Sequence, residues 1–175
     1  MTTDLSYPIG KFERPAAPRT AEQRAHSIAN LAALPANLRG AVRGLSEAQL
    51  DTPYRPDGWT VRQLVHHVAD SHLNGYTRVK LALTEDNPVI KPYDEKAWAA
   101  LRDSTLPVEL SLGILDGVHA RLDALLRALT PEQFARPFLH PASGPQTIDV
   151  WVALYDWHSR HHVAHVTGLR QRSGW

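Results

Sequence analysis

The apolar residues of this chain recur mainly at three- and four-residue steps, the spacing that places side chains on one face of an α-helix. Four segments carry such a stripe: residues 20–42, 60–84, 107–129 and 147–169. The third stripe is the most regular and consists of Leu112, Leu115, Val118, Leu122, Leu125, Leu126 and Leu129. The chain has no convincing strand pattern. The pattern therefore predicts four long amphipathic helices.

Residues that start or interrupt helices mark the ends of these segments. Thr60 and Thr147 are typical N-cap residues, and Pro107 suits a first helical turn. Pro35 lies inside the first stripe, where we expect it to kink the helix or split it in two, because proline removes a backbone donor and clashes with the preceding turn. The connections are predicted to be loops with short helical turns, within 46–58, at 94–101 and at 130–132, and a plain loop over 137–145.

These elements predict an all-α fold, a four-helix bundle with short additional helices in its connections. An antiparallel arrangement is the natural one, but the connection over residues 85–106 is longer than a tight turn and allows a crossover. Residues 1–19 are rich in proline and polar groups, which indicates an extended arm laid over the domain. A chain of 175 residues has the size of one ordinary domain, so we expect residues 1–175 to form a single domain.

Composition and charge exclude several classes of protein. The chain is 43% hydrophobic and 21% charged, as soluble globular proteins are. Its 19 basic and 18 acidic side chains give a net charge of +1, which provides no reason to expect a nucleic-acid or anionic-membrane partner. No apolar run is long enough to span a bilayer, and the N-terminus lacks the pattern of a secretory signal. We therefore expect a cytoplasmic protein that acts on a small molecule.

The absence of cysteine narrows the available chemistry, because it excludes disulfides, thiolate metal ligands and a cysteine nucleophile. Any metal site must then consist of imidazole, carboxylate or water. Histidine is unusually frequent, with ten residues, and seven of them fall within the segments 61–72 and 155–165. The histidines are therefore the leading candidates for a functional site.

The last predicted helix carries two histidine pairs with a spacing of four residues. His158 and His162 project from one face, one turn apart, so two ring nitrogens can reach a common ion about 2.0–2.1 Å away. His161 and His165 have the same spacing but are rotated by roughly 60°. Both pairs can touch the interior of the bundle, but only one of them can be centred on it.

The apolar side of the last helix favours the first pair. Trp151 and Leu169 point in the mean direction of His158 and His162. The opposite side of the helix is predicted to face solvent, with the markers Ser159, Arg160 and Gln171. The second pair lies off-centre from the apolar stripe, so we predict His158 and His162 as metal ligands.

The second predicted helix offers a third ligand from His66, His67 and His72. His67 lies on the line that continues through Ser71, whereas His66 falls nearer to Arg62. We therefore predict His67 as the third ligand. Three histidines with an open coordination position are typical of a hydrolytic or Lewis-acid zinc site, although nickel, iron and cobalt also accept imidazole.

Structural and non-catalytic roles for the histidines stay open. A single half-buried helical histidine is usually structural, and an H-x-x-x-H pair alone is a weak indicator of a site. The spacing is not that of H-E-x-x-H, so no glutamate base is built in. A closed, non-catalytic site would need a fourth protein ligand, with the candidates His66, His161 and His165. Three further histidines are isolated in the sequence and are predicted to be structural: His26, His119 and His140.

Three other residues are weak candidates for catalysis. Asp70 is one turn from His67 and is expected either to orient its ring or to pair with a surface arginine. Tyr155 is expected either to donate to a bound oxyanion or simply to pack in the core. Arg78 extends the line of His67 and either binds an acidic group of the substrate or is solvated.

Several motifs resemble the YfiT branch of the DinB-like superfamily: YPIGKF (7–12), YRPDGW (54–59), GWTVRQLVHHVADSHLNGY (58–76) and YDWHSRHHVAHVTGL (155–169). The resemblance covers nearly the whole chain. It implies a four-helix bundle, often a homodimer, with a three-histidine metal site at His67, His158 and His162. Members of this branch are described as metal-dependent hydrolases.

The resemblance also implies a second activity, because related DinB-like proteins are thiol S-transferases that use bacillithiol, mycothiol or glutathione. The lack of an obvious carboxylate base beside the ligands mildly favours this activity, since a metal-bound thiolate needs less help with its proton. Our leading prediction is a hydrolase whose nucleophile is water bound to a divalent metal, Zn²⁺ or alternatively Ni²⁺. A bacillithiol S-transferase and a non-catalytic, stress-related metal-binding bundle are the alternatives.

Overall fold

The computed structural model describes residues 4–175, and most of them are helical. The four long helices are α1 (Ala21–Val42), α3 (Val61–Thr84), α5 (Val108–Arg127) and α7 (Ile148–Ser173). The connections contain α2 (Glu47–Leu50), α4 (Glu95–Ala99), a 3-10 turn (Arg102–Thr105) and α6 (Pro131–Phe134). The predicted four-helix bundle with short additional helices is confirmed. Among the described residues, none of the helices combines the length and the apolarity needed to cross a bilayer.

The ends of the long helices follow from local side-chain chemistry. Thr60 begins α3 with a capping box in which its side chain and that of Gln63 each bond to the other residue's backbone N–H. Thr147 caps α7, as predicted, by accepting from the Val150 amide. α7 continues to Ser173, a little beyond the predicted end near residue 169, and stops at Gly174, whose φ of 68° is left-handed.

The long helices form a ring in which α1 and α3 each pack against both α5 and α7. Helices α1 and α3, which follow each other in the chain, therefore lie on a diagonal of the bundle. The order of buried residues shows that α3 and α5 run in the same direction, opposite to α1 and α7. Residues 85–107 thus return the chain to the end at which α3 began. This is the crossover that the length of the connection allowed.

Pro35 does not split the first helix, since α1 is continuous from Ala21 to Val42. Leu34 and Leu38, on either side of the proline, are almost fully buried against the rest of the bundle. Burial of this stripe outweighs the roughly 3 kcal/mol by which proline disfavours a helix interior. The proline has no N–H to bond to the carbonyl of Leu31, which would otherwise be its helical partner.

The prediction of a plain loop over 137–145 is wrong, because this segment forms most of a β-hairpin. Strand β1 (Pro137–His140) pairs antiparallel with β2 (Gly144–Thr147). The amide of Leu139 donates to the Pro88 carbonyl, and its carbonyl accepts from the Ile90 amide. These strands are too short to show a reliable alternation in sequence. The free edge of β1 forms its backbone hydrogen bonds with residues that are distant in the chain.

The core consists of two apolar clusters joined by a polar layer. The first cluster includes Leu38, Leu64, Leu112 and Val166. The second includes Leu31, Val79, Leu122 and Val152. Along the helices, histidines occupy the positions between the two clusters: His72 in α3, His119 in α5, and His158 and His162 in α7.

Helices α3 and α7 approach each other closely at Gly75. A Cβ atom built at this position would lie 2.6 Å from two ring carbons of Tyr155 and 2.8 Å from its hydroxyl oxygen. Tyr155 is almost fully buried, so its ring has little room to move. Glycine therefore sets the spacing of the two helices that carry most of the histidines.

We expect Gly75→Ala to lower the free energy of unfolding by about 1–3 kcal/mol, because overpacking against a buried ring outweighs the better helix propensity of alanine. Gly113 provides the matched control, since it also lies inside a helix but a Cβ atom placed on it would meet no other atom within 4 Å. Gly113→Ala should raise the free energy of unfolding by about 0.5–1 kcal/mol. Urea denaturation measures both. Equal effects of the two substitutions would contradict the close approach.

Candidate metal centre

Three histidines from two neighbouring helices converge between α3 and α7. His67 on α3 and His158 and His162 on α7 each place one ring nitrogen within 4.8 Å of the others. The Nε2 atoms of His158 and His162 are 3.1 Å apart. The His67 ring centroid lies 5.6 Å from that of His158 and 5.0 Å from that of His162. The structure therefore brings together the three residues predicted as ligands.

Burial keeps these three imidazoles neutral. It lowers the pKa of His67 to about 4. Burial, reinforced by the neighbouring histidines, also holds the pKa of His158 and of His162 well below the ordinary value. A neutral imidazole offers a lone pair to a metal without first losing a proton. The group is therefore in the protonation state that metal binding requires.

The donor set and its spacing fit a divalent transition metal. Nitrogens about 2.0–2.1 Å from a tetrahedral zinc ion lie about 3.3 Å from one another. The separation of 3.1 Å within the α7 pair is close to this value, and a small side-chain movement would bring His67 to it. The group contains no carboxylate, so it suits zinc, nickel or cobalt better than magnesium or calcium.

The other pair in α7 is also buried, with the Nε2 atoms of His161 and His165 3.0 Å apart. The pair therefore lies deeper than its predicted off-centre position indicated. Burial lowers the pKa of His161 to about 4 and that of His165 to about 3. The charge of Arg55 adds to both shifts, and His161 contributes more than Arg55 to the shift of His165. A guanidinium group beside the pair opposes the binding of a cation there.

Two further predictions about faces need correction. Ser159, predicted as a marker of the solvent side, is buried and donates its hydroxyl proton to the Tyr155 carbonyl. A small residue can enter the packed interface between helices that a larger polar residue would avoid. His66 is also buried, 2.7 Å from the Ser111 hydroxyl and 2.9 Å from the Leu106 carbonyl. Both of its nitrogens are engaged, so it does not serve as a fourth ligand.

Asp70 does not take either of its predicted roles. Among the described residues it bonds neither to His67 nor to an arginine through its carboxylate. Partial burial, with a contribution from the charge of Asp103, raises the pKa of Asp70 to about 6. The side chain lies on α3, one turn from His67, but is not part of the three-histidine group.

Tyr155 packs beside the group and has its hydroxyl proton engaged. The hydroxyl donates to the Ser71 carbonyl over 3.1 Å. The ring stacks on Trp151 at a centroid distance of 4.3 Å and lies 5.5 Å from the His158 ring. This arrangement favours the packing role over the donation to an oxyanion. The ring of Trp59, just before α3, packs against the His67 ring with their centroids 4.5 Å apart.

A pocket of about 240 Å³ opens beside His158. Its lining includes Arg78, one of the predicted candidates, together with Glu95 and Gln146. His140, predicted to be structural, also lines it. The hairpin brings His140 to the pocket, and because hairpin and helix are distant in sequence, no local pattern pointed to this contact.

The amides of Ala142 and Ser143 donate to Nδ1 of His140, at 3.2 and 3.3 Å. In the neutral ring the proton therefore resides on Nε2. Burial and the charge of Arg78 lower the pKa of His140, which favours the neutral form. Arg78 itself reaches the Lys91 carbonyl at 3.4 Å and, among the described residues, forms no ion pair. Both side chains offer hydrogen-bond donors at the pocket.

Comparisons with known proteins agree with a helical bundle. The model of the DinB superfamily matches residues 30–166. The chain belongs to this superfamily. It is 51% identical over 176 residues to YfiT of Bacillus subtilis, and the match covers 99% of this chain and 98% of the relative. It is also 52% identical over 172 residues to a protein of Bacillus cereus strain B4264, and this match covers 98% of this chain and 99% of the relative. Both relatives carry the provisional name of metal-dependent hydrolase.

A solved structure of YfiT from Bacillus subtilis superposes with a TM-score of 0.94 at 50% sequence identity, covering 98% of each chain. That protein is described as a probable metal-dependent hydrolase with an unusual four-helix bundle topology. The predicted membership of the YfiT branch is therefore confirmed.

We expect His162→Ala to abolish stoichiometric metal binding, because it removes one of three convergent nitrogens, whereas His161→Ala should retain about one equivalent. The two residues are adjacent in the same helix and both are buried, so each controls for the other. Plasma mass spectrometry of tag-free protein measures the metal content. Loss of metal from the His161 variant with retention in the His162 variant would place the site at the other pair.

A second prediction concerns Asp70 and pH. Because its pKa is about 6 in the folded state and about 3.9 in unfolded chains, this group favours the folded state most below about pH 4 and loses that contribution as the pH rises to about 6. Asp70→Asn should therefore raise the free energy of unfolding, relative to wild type, more at pH 8 than at pH 4. Urea denaturation at the two pH values measures the difference. An equal gain at both would contradict the raised pKa.

Proposed function

We propose that this protein is a metal-dependent hydrolase whose metal is held by His67, His158 and His162. The observation that carries the proposal is the convergence of three neutral ring nitrogens within 4.8 Å of one another, beside a pocket to which His158 contributes. The names of full-length relatives support the same class of reaction. Zn²⁺ is the metal we propose, with Ni²⁺ as the alternative, because imidazole suits both.

When bound, a divalent metal at three imidazoles supplies Lewis acidity and lowers the pKa of water at the open coordination position. The residues of the chain perform the remaining tasks. Trp59 and Tyr155 pack on the rings of His67 and His158 and restrict their orientation. The apolar side chains Phe138 and Leu154 line the pocket and reduce its exposure to water.

The pocket favours a substrate that carries a carboxylate or a similar anionic group. Arg78 supplies a guanidinium without a carboxylate partner, and His140 supplies an Nε2–H donor. Glu95 also lines the pocket; burial raises its pKa, and the charge of Arg78 opposes this shift without forming a salt bridge. Charge-assisted hydrogen bonds from a guanidinium are among the strongest that a protein offers to a carboxylate. Arg78 therefore takes the substrate-binding role considered for it.

The alternative activity, transfer to a thiol such as bacillithiol, has in its favour only the lack of a carboxylate in the three-histidine group. It differs from hydrolysis in needing a thiol for turnover, so one assay separates the two. The homodimer and the cytoplasmic location stay predictions. The closed, non-catalytic site is disfavoured because His66 is engaged with Ser111 and Leu106, and His161 and His165 face each other beside Arg55.

The test uses zinc-loaded protein with 4-nitrophenyl acetate and with the carboxylate-bearing ester 4-nitrophenyl hydrogen glutarate. We expect a higher kcat/KM for the glutarate ester, no requirement for a thiol, and loss of activity on metal removal. Arg78→Gln should lower the preference for the glutarate ester roughly tenfold, mainly through KM, because a charge-assisted hydrogen bond is lost.

Arg127→Gln is the matched control, since Arg127 is an exposed arginine that lies outside the pocket. It should leave the preference unchanged. Turnover of either ester that persists after metal removal, or that appears only when a thiol is added, would contradict metal-dependent hydrolysis. A preference unchanged in the Arg78 variant would contradict the carboxylate subsite alone.

A further inference from the structure

Two histidines outside the three-histidine group are buried as completely as any residue of the core. His72 on α3 is 0% exposed and His119 on α5 is 2% exposed. Imidazole nitrogens in such surroundings are unfavourable unless they form hydrogen bonds. Their partners are other histidines: His72 Nε2 lies 3.3 Å from Nδ1 of His158, and His72 Nδ1 lies 3.0 Å from Nε2 of His119.

Each contact joins an Nδ1 atom of one ring to an Nε2 atom of the next. Each ring can therefore donate its Nδ1–H to the Nε2 atom of the following ring. A neutral imidazole has one N–H donor and one acceptor nitrogen. If His158 uses Nε2 as its metal-binding atom, its proton resides on Nδ1 and is donated to His72. His72 then carries its own proton on Nδ1 and donates it to Nε2 of His119.

The remaining proton of this series lies on Nδ1 of His119, which faces helix α1. Burial lowers the pKa of His119 to about 4, and the Leu31 backbone carbonyl on α1 opposes this shift. The Nδ1 atom itself has no partner of standard hydrogen-bond geometry among the described residues.

We infer that His72 and His119 are positioning residues for the metal ligand His158, joined to it by a chain of two hydrogen bonds that runs from α7 through α3 to α5. This inference rests on the metal centre of the proposed function. The chain fixes the tautomer of His158 and turns its Nε2 lone pair toward the other ligands. The observed 3.1 Å separation of the Nε2 atoms of His158 and His162 agrees with that orientation.

The first test measures the zinc affinity of the folded protein by competition with a chromogenic chelator. His72→Leu should weaken zinc binding by about 10- to 100-fold, the usual effect of losing the partner of a ligating histidine. His72→Gln should restore most of the affinity, because the amide oxygen can accept from His158 while the amide N–H donates to His119. Rescue by glutamine separates positioning from simple filling of the core.

The matched control is His66→Leu, on the same helix. His66 is buried and fully hydrogen-bonded like His72, but its partners are Ser111 and Leu106 rather than a ligand. This variant should lose stability in urea and keep the zinc affinity of the wild type. If it lost zinc affinity to the same extent as His72→Leu, the effect would belong to the general loss of a buried histidine, and the inference would be overturned.

The second test needs no substitution and so does not depend on the folding of a variant. Long-range proton–nitrogen NMR spectra of the zinc-loaded wild type distinguish the two tautomers of each histidine. We expect His158, His72 and His119 all to carry the proton on Nδ1. A proton on Nε2 of His72 or His119 would break the direction of the chain and overturn the inference.

The outcomes distinguish the inference from the proposed function. A wild type that binds no zinc would overturn the metal centre, and the positioning role with it. A wild type that binds zinc, together with a His72→Leu variant of equal affinity, would overturn the positioning role alone. Weakened binding in His72→Leu, rescue in His72→Gln and Nδ1 tautomers along the chain would together establish it.

Discussion

The arrangement of this bundle depends on placing neutral imidazoles in the middle of an apolar core. Each buried nitrogen needs a hydrogen-bond partner or a metal, since an unsatisfied polar group in such surroundings is destabilising by roughly 1–3 kcal/mol. The histidines of α3, α5 and α7 meet this need largely through one another. The two apolar clusters on either side exclude water and hold the rings neutral. Apolar packing thereby produces the protonation state that a metal requires.

The same requirement restricts the helices themselves. For imidazoles to meet, α3 and α7 must lie close together, and Gly75 allows the Tyr155 ring to pack directly on the backbone of α3. The parallel course of α3 and α5 places His72 and His119 at the same level, so that their rings lie 4.9 Å apart. A strictly up-and-down bundle of the same helices would have a different set of neighbours. The topology of the bundle therefore determines which histidines meet in the polar layer.

The pocket is built by the connections rather than by the four helices alone. The β-hairpin supplies His140, the segment that leads from α3 to α5 supplies Glu95, and α3 supplies Arg78. The three histidines lie on the helices of the bundle, whereas most of the residues suited to recognise a substrate lie at its margin. Short connections change more readily in sequence than a packed core, so the lining of the pocket can vary while the three-histidine group stays in place.

The sequence by itself determined the four helices, most of their ends and the identity of the convergent histidines. Helical periodicity reports directly which residues share a face, and Thr60 and Thr147 mark helix starts through local hydrogen bonds. It did not determine the fate of Pro35, the β-hairpin or the partners of His119, because each depends on residues distant in the chain. Only the tertiary structure decided that His72 bonds to His158 and that His140 faces the pocket, since hydrogen bonds between helices follow from their packing and not from any local spacing.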